Sequence, residues 1–241
     1  MQELYSKLKK YNLDDAIRIE ETDRQFIALK KVSNLIQSFP FDKRKEKTNL
    51  YIFLVIANSL VCYQLSWKGE DYWEEFGEYF SNPPLTPPSK KVLQNKDLIN
   101  DLIVFLKQSK YNKRFINIKT KRLEKLRTFL EHFNWKWEYY YNNMIELRDK
   151  LSELMNQKKD AKTITFTIKI YSYFVRNFYD FVEYPKEILI PIDSRLTNLF
   201  EKYKWNYTDI KKFYKDLSNK LNIPMLHLDW IVWTLYDDLI K

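Results

Sequence analysis

A lysine, an aromatic residue and a second lysine occur at helical spacing between residues 162 and 169. If this segment is a helix, Lys162, Phe166 and Lys169 share one face, and isoleucines occupy the other faces. Lysine is seldom placed in apolar surroundings without a functional reason, and a neutral lysine amine is a nucleophile that forms Schiff bases. The alternative is that both amines reach solvent over an apolar surface, and the pattern alone favours that alternative.

Carboxylates that could assist such an amine occur in two C-terminal segments. Asp193 precedes a segment of helical pattern, so we expect it to cap that helix by accepting backbone N–H groups, which would hold the carboxylate rigid. Asp229 and Trp233 have i, i+4 spacing and therefore share a helix face. The alternative for this pair, which the pattern alone favours, is an amphipathic helix with its tryptophan in the core and its aspartate in solvent.

Other kinds of catalytic site are disfavoured by composition. The 241 residues include one cysteine, Cys62, two histidines, His132 and His227, and two glycines. We therefore expect no disulfide, no cysteine-rich or histidine-rich metal centre and no glycine-rich phosphate loop. The single cysteine fits a reducing interior, the charged start Met1–Lys10 shows no secretory signal, and no apolar run reaches the ~20 residues of a membrane span.

Helical periodicity dominates the chain, and we predict an all-α fold. The apolar run Leu50–Leu65 is predicted to be a buried core helix, and Asn222 followed by Pro224 to begin the last helix. Thr163–Ile170 alternates polar and apolar residues like a strand, but no partner strand is evident, so we assign it as helix. The other predicted helices are Gln25–Phe39, Ser89–Lys107, Arg122–Phe133, Glu138–Met155, Ser194–Lys204, Thr208–Asn219 and Pro224–Ile240.

The chain is basic and rich in aromatic side chains. Its formal net charge is +9, and 17% of its residues are aromatic. An excess of lysine and arginine favours a polyanionic partner such as nucleic acid or an anionic membrane, and aromatic rings offer surfaces on which bases stack. We expect one compact unit over residues 1–241, with joints between subdomains near the proline-rich segment 81–88 and near 184–191.

Five short motifs are spread over nearly the whole chain. They are Asp23–Phe26, Asn58–Leu65, Gly69–Ser81, Lys162–Ile170, and Ile190–Arg195 together with Leu226–Asp229. In this order they resemble the archaeal 8-oxoguanine DNA glycosylases, also called AGOG, a divergent branch of the helix-hairpin-helix glycosylases. The resemblance implies a helix-hairpin-helix glycosylase-like helical bundle, with two helical subdomains flanking a base-binding cleft and the hairpin at about residues 144–178.

The resemblance also implies a role for each candidate residue. Lys162 matches the lysine that attacks the sugar C1′, and Asp193 matches the catalytic aspartate. Phe166 and Trp233 match the aromatics that sandwich the extruded base. The remaining positions that match groups of the base pocket are Gln25, Trp73, Lys169 and Asp229.

The hairpin turn departs from the pattern of the wider superfamily. Helix-hairpin-helix turns use glycine so that backbone N–H groups can approach a DNA phosphate, whereas Asn156–Ala161 contains none. We expect Lys158 and Lys159 to contact the phosphate instead.

The implied activity is that of a DNA repair N-glycosylase and AP lyase. Such an enzyme flips 8-oxoguanine out of DNA, attacks C1′ with its lysine and cleaves the strand by β-elimination, without metal or organic cofactor. Because the attack needs a neutral amine, we expect the apolar helix to exclude water from Lys162. We expect double-stranded DNA containing 8-oxoguanine as partner, with single strands left open, no membrane partner, a monomer, and a cytoplasmic, nucleoid-associated location. The alternatives are a non-catalytic helix-hairpin-helix module that binds damaged or structured nucleic acid, and a basic helical assembly protein.

Overall fold

The computed structural model describes residues 1–82, 98–127 and 136–241, and every regular element in these ranges is a helix. The predicted all-α fold is therefore confirmed. The helices are α1 Gln2–Leu8, α2 Leu13–Glu21, α3 Arg24–Ser38, α4 Phe41–Val61, α5 Gly69–Ser81, α6 Leu98–Gln108, α7 Ile116–Arg127, α8 Trp137–Asn142, α9 Met144–Met155, α10 Lys162–Val175, α11 Ser194–Tyr203, α12 Ile210–Leu221, α13 Met225–Thr234 and α14 Tyr236–Ile240.

The segment with the alternating pattern is helical, as assigned. Thr163–Ile170 lies within α10, where Ile164, Ile168 and Ile170 are fully buried. The β-branched residues did not produce a strand because tertiary burial of these isoleucines outweighs their modest intrinsic preference. Helices α3, α11 and α12 also begin and end within two residues of their predicted bounds.

Two predicted helices are each interrupted. The segment predicted as one helix from Glu138 to Met155 is divided into α8 and α9 at Asn143. The Asn142 and Asn143 side-chain amides donate to backbone carbonyls one turn earlier, at 2.9 Å in both cases, and such bonds compete with continuation of the helix. The last predicted helix is similarly divided into α13 and α14 at Leu235.

The predicted role of Asn222 at the start of the last helix is wrong, because Asn222 belongs to the end of the preceding helix. Asn222 does not cap α13 but ends α12, in the left-handed conformation with φ 52°. Asparagine tolerates this conformation better than most residues, and it terminates helices in the way that glycine does. Pro224 occupies the N-cap position of α13, which begins at Met225.

Several predictions fall partly outside the described residues. Of the expected proline-rich joint 81–88, only residues 81 and 82 are described. The described part of the predicted helix 89–107 is α6, and that of the predicted helix 122–133 is α7, which begins earlier than predicted at Ile116. Helices α1, α2 and α5 were not predicted, although Asn12 and Asp15 form a capping box at the start of α2.

The described chain divides into two compact units. The first unit comprises residues 1–23, 144–166 and 182–241, and the second comprises residues 24–143 and 167–181. One boundary falls inside α10, between Phe166 and Thr167.

The first unit has a core of apolar residues from α1, α11, α12 and α13. Helix α13 packs on α2, where two buried polar contacts orient it. The Trp230 indole donates to the Ile19 carbonyl oxygen at 2.7 Å, and His227 Nδ1 lies 2.7 Å from Glu20 Oε1. The backbone N–H of Tyr184 donates to Nε2 of the same imidazole at 3.4 Å, which leaves Nδ1 as the nitrogen that carries a hydrogen toward Glu20.

The second unit is built on α4, whose residues from Leu50 to Val61 are all buried. Helices α3 and α5 pack closely in this unit at Gly77, where an added Cβ would lie 2.8 Å from the Ala28 carbonyl oxygen. Aromatic rings also pack between α5 and α6, where Phe76 meets Phe105 edge to face and Tyr72 lies tilted against the same ring. The predicted core helix is thus confirmed within α4, which ends at Val61 rather than at residue 65.

Candidate active site

Helix α10 presents the candidate nucleophile at its first position. Lys162 is exposed, Phe166 is half-buried, and Lys169 is only 4% exposed. The expectation that apolar residues would exclude water from Lys162 is therefore wrong. Lys162 is the first residue of α10, whereas the buried isoleucines of this helix begin only at Ile164.

Asp193 caps α11, as the sequence predicts. Its side chain accepts a hydrogen bond from the Leu196 backbone N–H at 2.9 Å, and its own carbonyl accepts from the Thr197 hydroxyl at 2.7 Å. The residue is half-buried. A carboxylate held by the first turn of a helix is fixed in direction and sits beside the positive end of the helix dipole.

Asp229 and Trp233 on α13 are both largely shielded from solvent. Asp229 is 8% exposed, so the alternative of a solvated aspartate is wrong, and Trp233 is half-buried. The Arg195 guanidinium lies 3.6 Å from the centre of the Trp233 ring, a close cation–π contact. The nearly parallel Trp230 ring has its centre 6.3 Å away. Trp233 is thus held in place by a neighbouring cation and a second indole.

Tyr214 is a residue whose pKa responds to both aspartates, and no sequence signal predicted it. This buried tyrosine on α12 donates its hydroxyl hydrogen to the Leu196 carbonyl at 2.7 Å. Burial raises the pKa of Tyr214, and the negative charges of Asp193 and Asp229 raise it further, so the hydroxyl stays protonated. Both carboxylates therefore lie near one phenol. In sequence Tyr214 is one of 18 tyrosines, on an ordinary amphipathic helix, and nothing distinguishes it.

The other three predicted base-binding residues belong to the second unit. Gln25 is 8% exposed, and its Nε2 lies 3.5 Å from where a Cβ on Gly69 would be. Trp73 is fully buried, and its indole N–H has no hydrogen-bond acceptor among the described residues. A buried donor without an acceptor is uncommon and needs an explanation, such as a bound ligand. Lys169 Nζ lies 5.7 Å from the centre of the Tyr173 ring.

The hairpin between α9 and α10 closes without glycine. Asn156 adopts the left-handed conformation, φ 48°, that a glycine would supply. The Ser152 hydroxyl donates to the Gln157 carbonyl at 2.6 Å and fastens the turn to α9. Lys158 is exposed, whereas Lys159 is exposed but forms an ion pair of 2.6 Å with Asp149. Of the two lysines expected to contact phosphate, only Lys158 forms no ion pair within the described part of the chain, although its charge helps to lower the pKa of Asp160.

The predicted site residues are therefore distributed over both units. The first unit holds Lys158, Lys159, Lys162, Phe166, Asp193, Asp229 and Trp233, and the second holds Gln25, Trp73 and Lys169. Within residues 1–82, 98–127 and 136–241, no three His, Cys, Asp or Glu side chains are grouped in a way that could hold a metal ion. In the same ranges, no helix combines the length and apolar character needed to cross a membrane.

Comparison with known proteins identifies the family. A model of the AGOG family, described as N-glycosylase/DNA lyase, matches residues 5–240. An N-glycosylase/DNA lyase of Methanococcus maripaludis is 38% identical over 89% of this chain and 78% of the relative. Proteins of the same name from Thermococcus kodakarensis and Nanoarchaeum equitans are each 37% identical over 95% of this chain, and over 81% and 88% of the relatives.

A solved structure agrees with this assignment at the level of the fold. The crystal structure of Pa-AGOG, the 8-oxoguanine DNA glycosylase from Pyrobaculum aerophilum, complexed with 8-oxoguanosine, superposes with a TM-score of 0.73. The match covers 98% of this chain and 86% of that chain at 24% identity. By the family match over nearly its full length and by these relatives, the chain belongs to the AGOG family of N-glycosylases/DNA lyases, and it is a DNA repair enzyme.

Proposed function

We propose that this glycosylase/lyase excises 8-oxoguanine, with Lys162 as nucleophile and Asp193 as the assisting carboxylate. The observation that carries the proposal is that one compact unit holds both an exposed amine that begins α10 and a carboxylate fixed by the first turn of α11. An exposed amine is accessible to a flipped nucleotide, and a fixed carboxylate needs no reorganisation during the reaction.

The reaction proceeds in two stages. The neutral Lys162 amine forms a bond to C1′ while the bond from C1′ to N9 breaks, and the base leaves with that electron pair and takes up a proton. Loss of a proton from nitrogen and opening of the sugar ring give a Schiff base at C1′. Removal of a proton from C2′ then expels the 3′ phosphate by β-elimination. Asp193 stabilises the positive charge that develops on the sugar and relays the proton during base loss.

In this mechanism the bound nucleotide removes water from the Lys162 amine, which is exposed in the free protein. Because Lys162 is exposed, the surrounding helix does not exclude water from its amine. A nucleotide flipped against Phe166 and Trp233 would cover the amine and favour its neutral form at the moment of attack. Stacking on the two rings would offset the loss of base stacking in the duplex, at ~1–3 kcal/mol per base.

Recognition of the oxidised base depends on its N7–H group, which guanine lacks. Asp229 is the acceptor best suited to this hydrogen, since its carboxylate is buried and lies near Tyr214. Gln25, Lys169 and the Trp73 indole N–H would pair with the remaining polar edge of the base. A site built from buried polar groups rejects a base that leaves them unpaired.

The first experiment is borohydride trapping on a labelled duplex that contains one 8-oxoguanine. The parent protein is expected to form a covalent adduct, and Lys162→Ala is expected to form none. Lys215→Ala is the matched control, because it removes an exposed lysine from the same unit without touching any proposed site residue. Full adduct yield from Lys162→Ala would mean that another amine attacks.

The second experiment addresses the base. Asp229→Leu is expected to reduce excision of 8-oxoguanine by about 10²-fold or more, because it leaves the N7–H group of the base without an acceptor. An unchanged rate would assign lesion recognition elsewhere. Excision from matched single-stranded and double-stranded substrates determines the strand preference. Analytical sedimentation of the free protein determines whether it is a monomer. We expect an intracellular location together with the DNA substrate.

A further inference from the structure

Two loops of the second unit form a joined, exposed surface that contains none of the proposed catalytic, base-binding or phosphate-binding residues. The first loop, 62–68, connects α4 to α5, and the second, 109–115, connects α6 to α7. The Ser66 backbone N–H donates to the Tyr111 carbonyl at 2.8 Å, and the Lys113 backbone N–H donates to the Ser66 hydroxyl at 3.0 Å. These bonds hold the two loops together, and we call them the double loop.

The double loop exposes large apolar side chains. Trp67 is 67% exposed and Phe115 is 50% exposed. Ile118, one turn into α7, is 56% exposed. Aromatic residues normally bury 150–250 Å², so leaving two of them in solvent on neighbouring loops loses stabilisation that folding would otherwise gain.

The backbone at this surface is strained. Phe115 has φ 58° and Gln64, in the other loop, has φ 45°. Neither residue is glycine or asparagine, and a bulky side chain in the left-handed region is an outlier whose cost is of order 1–3 kcal/mol. The strain of Phe115 is maintained even though its ring contributes little to the core, which points to a role in binding.

Several cations are exposed on and beside the double loop, whereas the Glu75 carboxylate accepts hydrogen bonds from Ser109 and Lys110 at its base. Lys68, Lys113, Arg114 and Lys121 are exposed, and none has a carboxylate partner in the ranges that the structure describes. Beneath the loops, Lys119 is fully buried and donates to Asn112. Burial lowers the pKa of Lys119 to about 8, so it is still mainly protonated at neutral pH and adds to the positive potential.

We propose that the double loop is a second DNA-binding surface, on which unpaired bases stack on Trp67 and Phe115 while phosphates contact Lys68, Lys113 and Arg114. The combination of exposed aromatics with unpaired cations is the arrangement by which proteins bind single-stranded nucleic acid. An acidic peptide would be attracted by the cations but would have no flat rings to place on the aromatics. The proposal relies on the DNA substrate of the family and not on the roles assigned to Lys162 or Asp193.

The test measures binding of an undamaged, fluorescein-labelled oligothymidylate by anisotropy, over a range of salt concentrations. The double variant Trp67→Ala/Phe115→Ala is expected to weaken binding about tenfold or more, with the salt dependence unchanged. Lys113→Gln/Arg114→Gln is expected to reduce the slope of log K against log salt by about 1.4, from about 0.7 per lost phosphate contact. Trp205→Ala is the matched control, since Trp205 is 87% exposed, also has a positive φ, and belongs to the first unit.

Three results would overturn the proposal. One is affinity of the Trp67→Ala/Phe115→Ala variant within about twofold of the parent. Another is an equal loss of affinity in Trp205→Ala. The third is a polyglutamate peptide that binds the parent as tightly as the oligonucleotide does, which would indicate a general polyanion site. Trp67→Phe provides a direct signal, because DNA-induced quenching of tryptophan fluorescence should decrease while affinity is retained.

Trapping separates this proposal from the proposed catalytic roles. At saturating enzyme, the double-loop variants are expected to trap 8-oxoguanine DNA at the parent rate. Lys162→Ala is expected to lose trapping but to keep its affinity for the undamaged oligonucleotide. A failure of either proposal therefore leaves the other measurable.

Discussion

Asp193 carries two separable tasks, a structural cap and a catalytic carboxylate, and two substitutions distinguish them. Asparagine caps a helix about as well as aspartate, because its side-chain oxygen accepts the same backbone hydrogen bond. Asp193→Asn therefore keeps the 2.9 Å bond from the Leu196 N–H and loses only the charge at the helix end, worth about 0.3–1 kcal/mol. Asp193→Ala loses the bond as well, for a total of about 1–2 kcal/mol.

These magnitudes predict that the two variants differ in stability but not in activity. In thermal unfolding, the alanine variant is expected to melt about 2–6 °C below the parent, and the asparagine variant about 1–3 °C below it. In single-turnover excision of 8-oxoguanine, both variants are expected to be slower by about 10²–10⁴-fold, because both lack the negative charge. Stability would thus separate the two variants, whereas activity would not.

Asp209 provides the matched control. It caps α12 in the same manner, accepting from the backbone N–H groups of Lys211 at 2.8 Å and Lys212 at 3.2 Å, and it is exposed. Its asparagine and alanine variants should repeat the stability pattern and leave excision unchanged. If Asp193→Asn excised the base within about fivefold of the parent rate, Asp193 would be a cap alone and the proposed assistance would be refuted.

Three further predictions follow from packing and charge. Gly77→Ala is expected to destabilise the protein by about 1–3 kcal/mol in urea unfolding, because its Cβ would lie 2.8 Å from a backbone carbonyl oxygen of α3. Gly69→Ala is the control and should be nearly neutral, because its Cβ would meet only an ordinary 3.5 Å contact. The pKa of Lys119 is lowered to about 8 in the folded state, so above that pH the unfolded state binds more protons than the folded state does. The free energy of unfolding should therefore rise by about 1–3 kcal/mol between about pH 7 and pH 10. Lys119→Met should lack this rise. Arg195→Ala should release the Trp233 ring and weaken substrate binding about two- to fivefold without changing the single-turnover rate, and a larger change in that rate would contradict a purely positioning role.

Local sequence signals predicted the elements well where one local cause dominates. The apolar periodicity of α3 and α12 and the cap at Asp193 are properties of a few neighbouring residues, and each is found as predicted. The break at Asn143 and the role of Asn222 were missed because asparagine can cap a helix start, end a helix or interrupt one. Which of these it does depends on the backbone around it, not on its identity.

The family could be recognised from the sequence, because short ordered motifs survive where overall identity is low. The chain alone also determined that Lys162, Phe166 and Lys169 share a helix face, since that follows from helical geometry. Only the tertiary structure decided that Lys162 is exposed while Lys169 is buried, and that Tyr214 lies near both aspartates. Burial and through-space electrostatics depend on which distant segments pack together, and the spacing of residues along one helix carries no record of that.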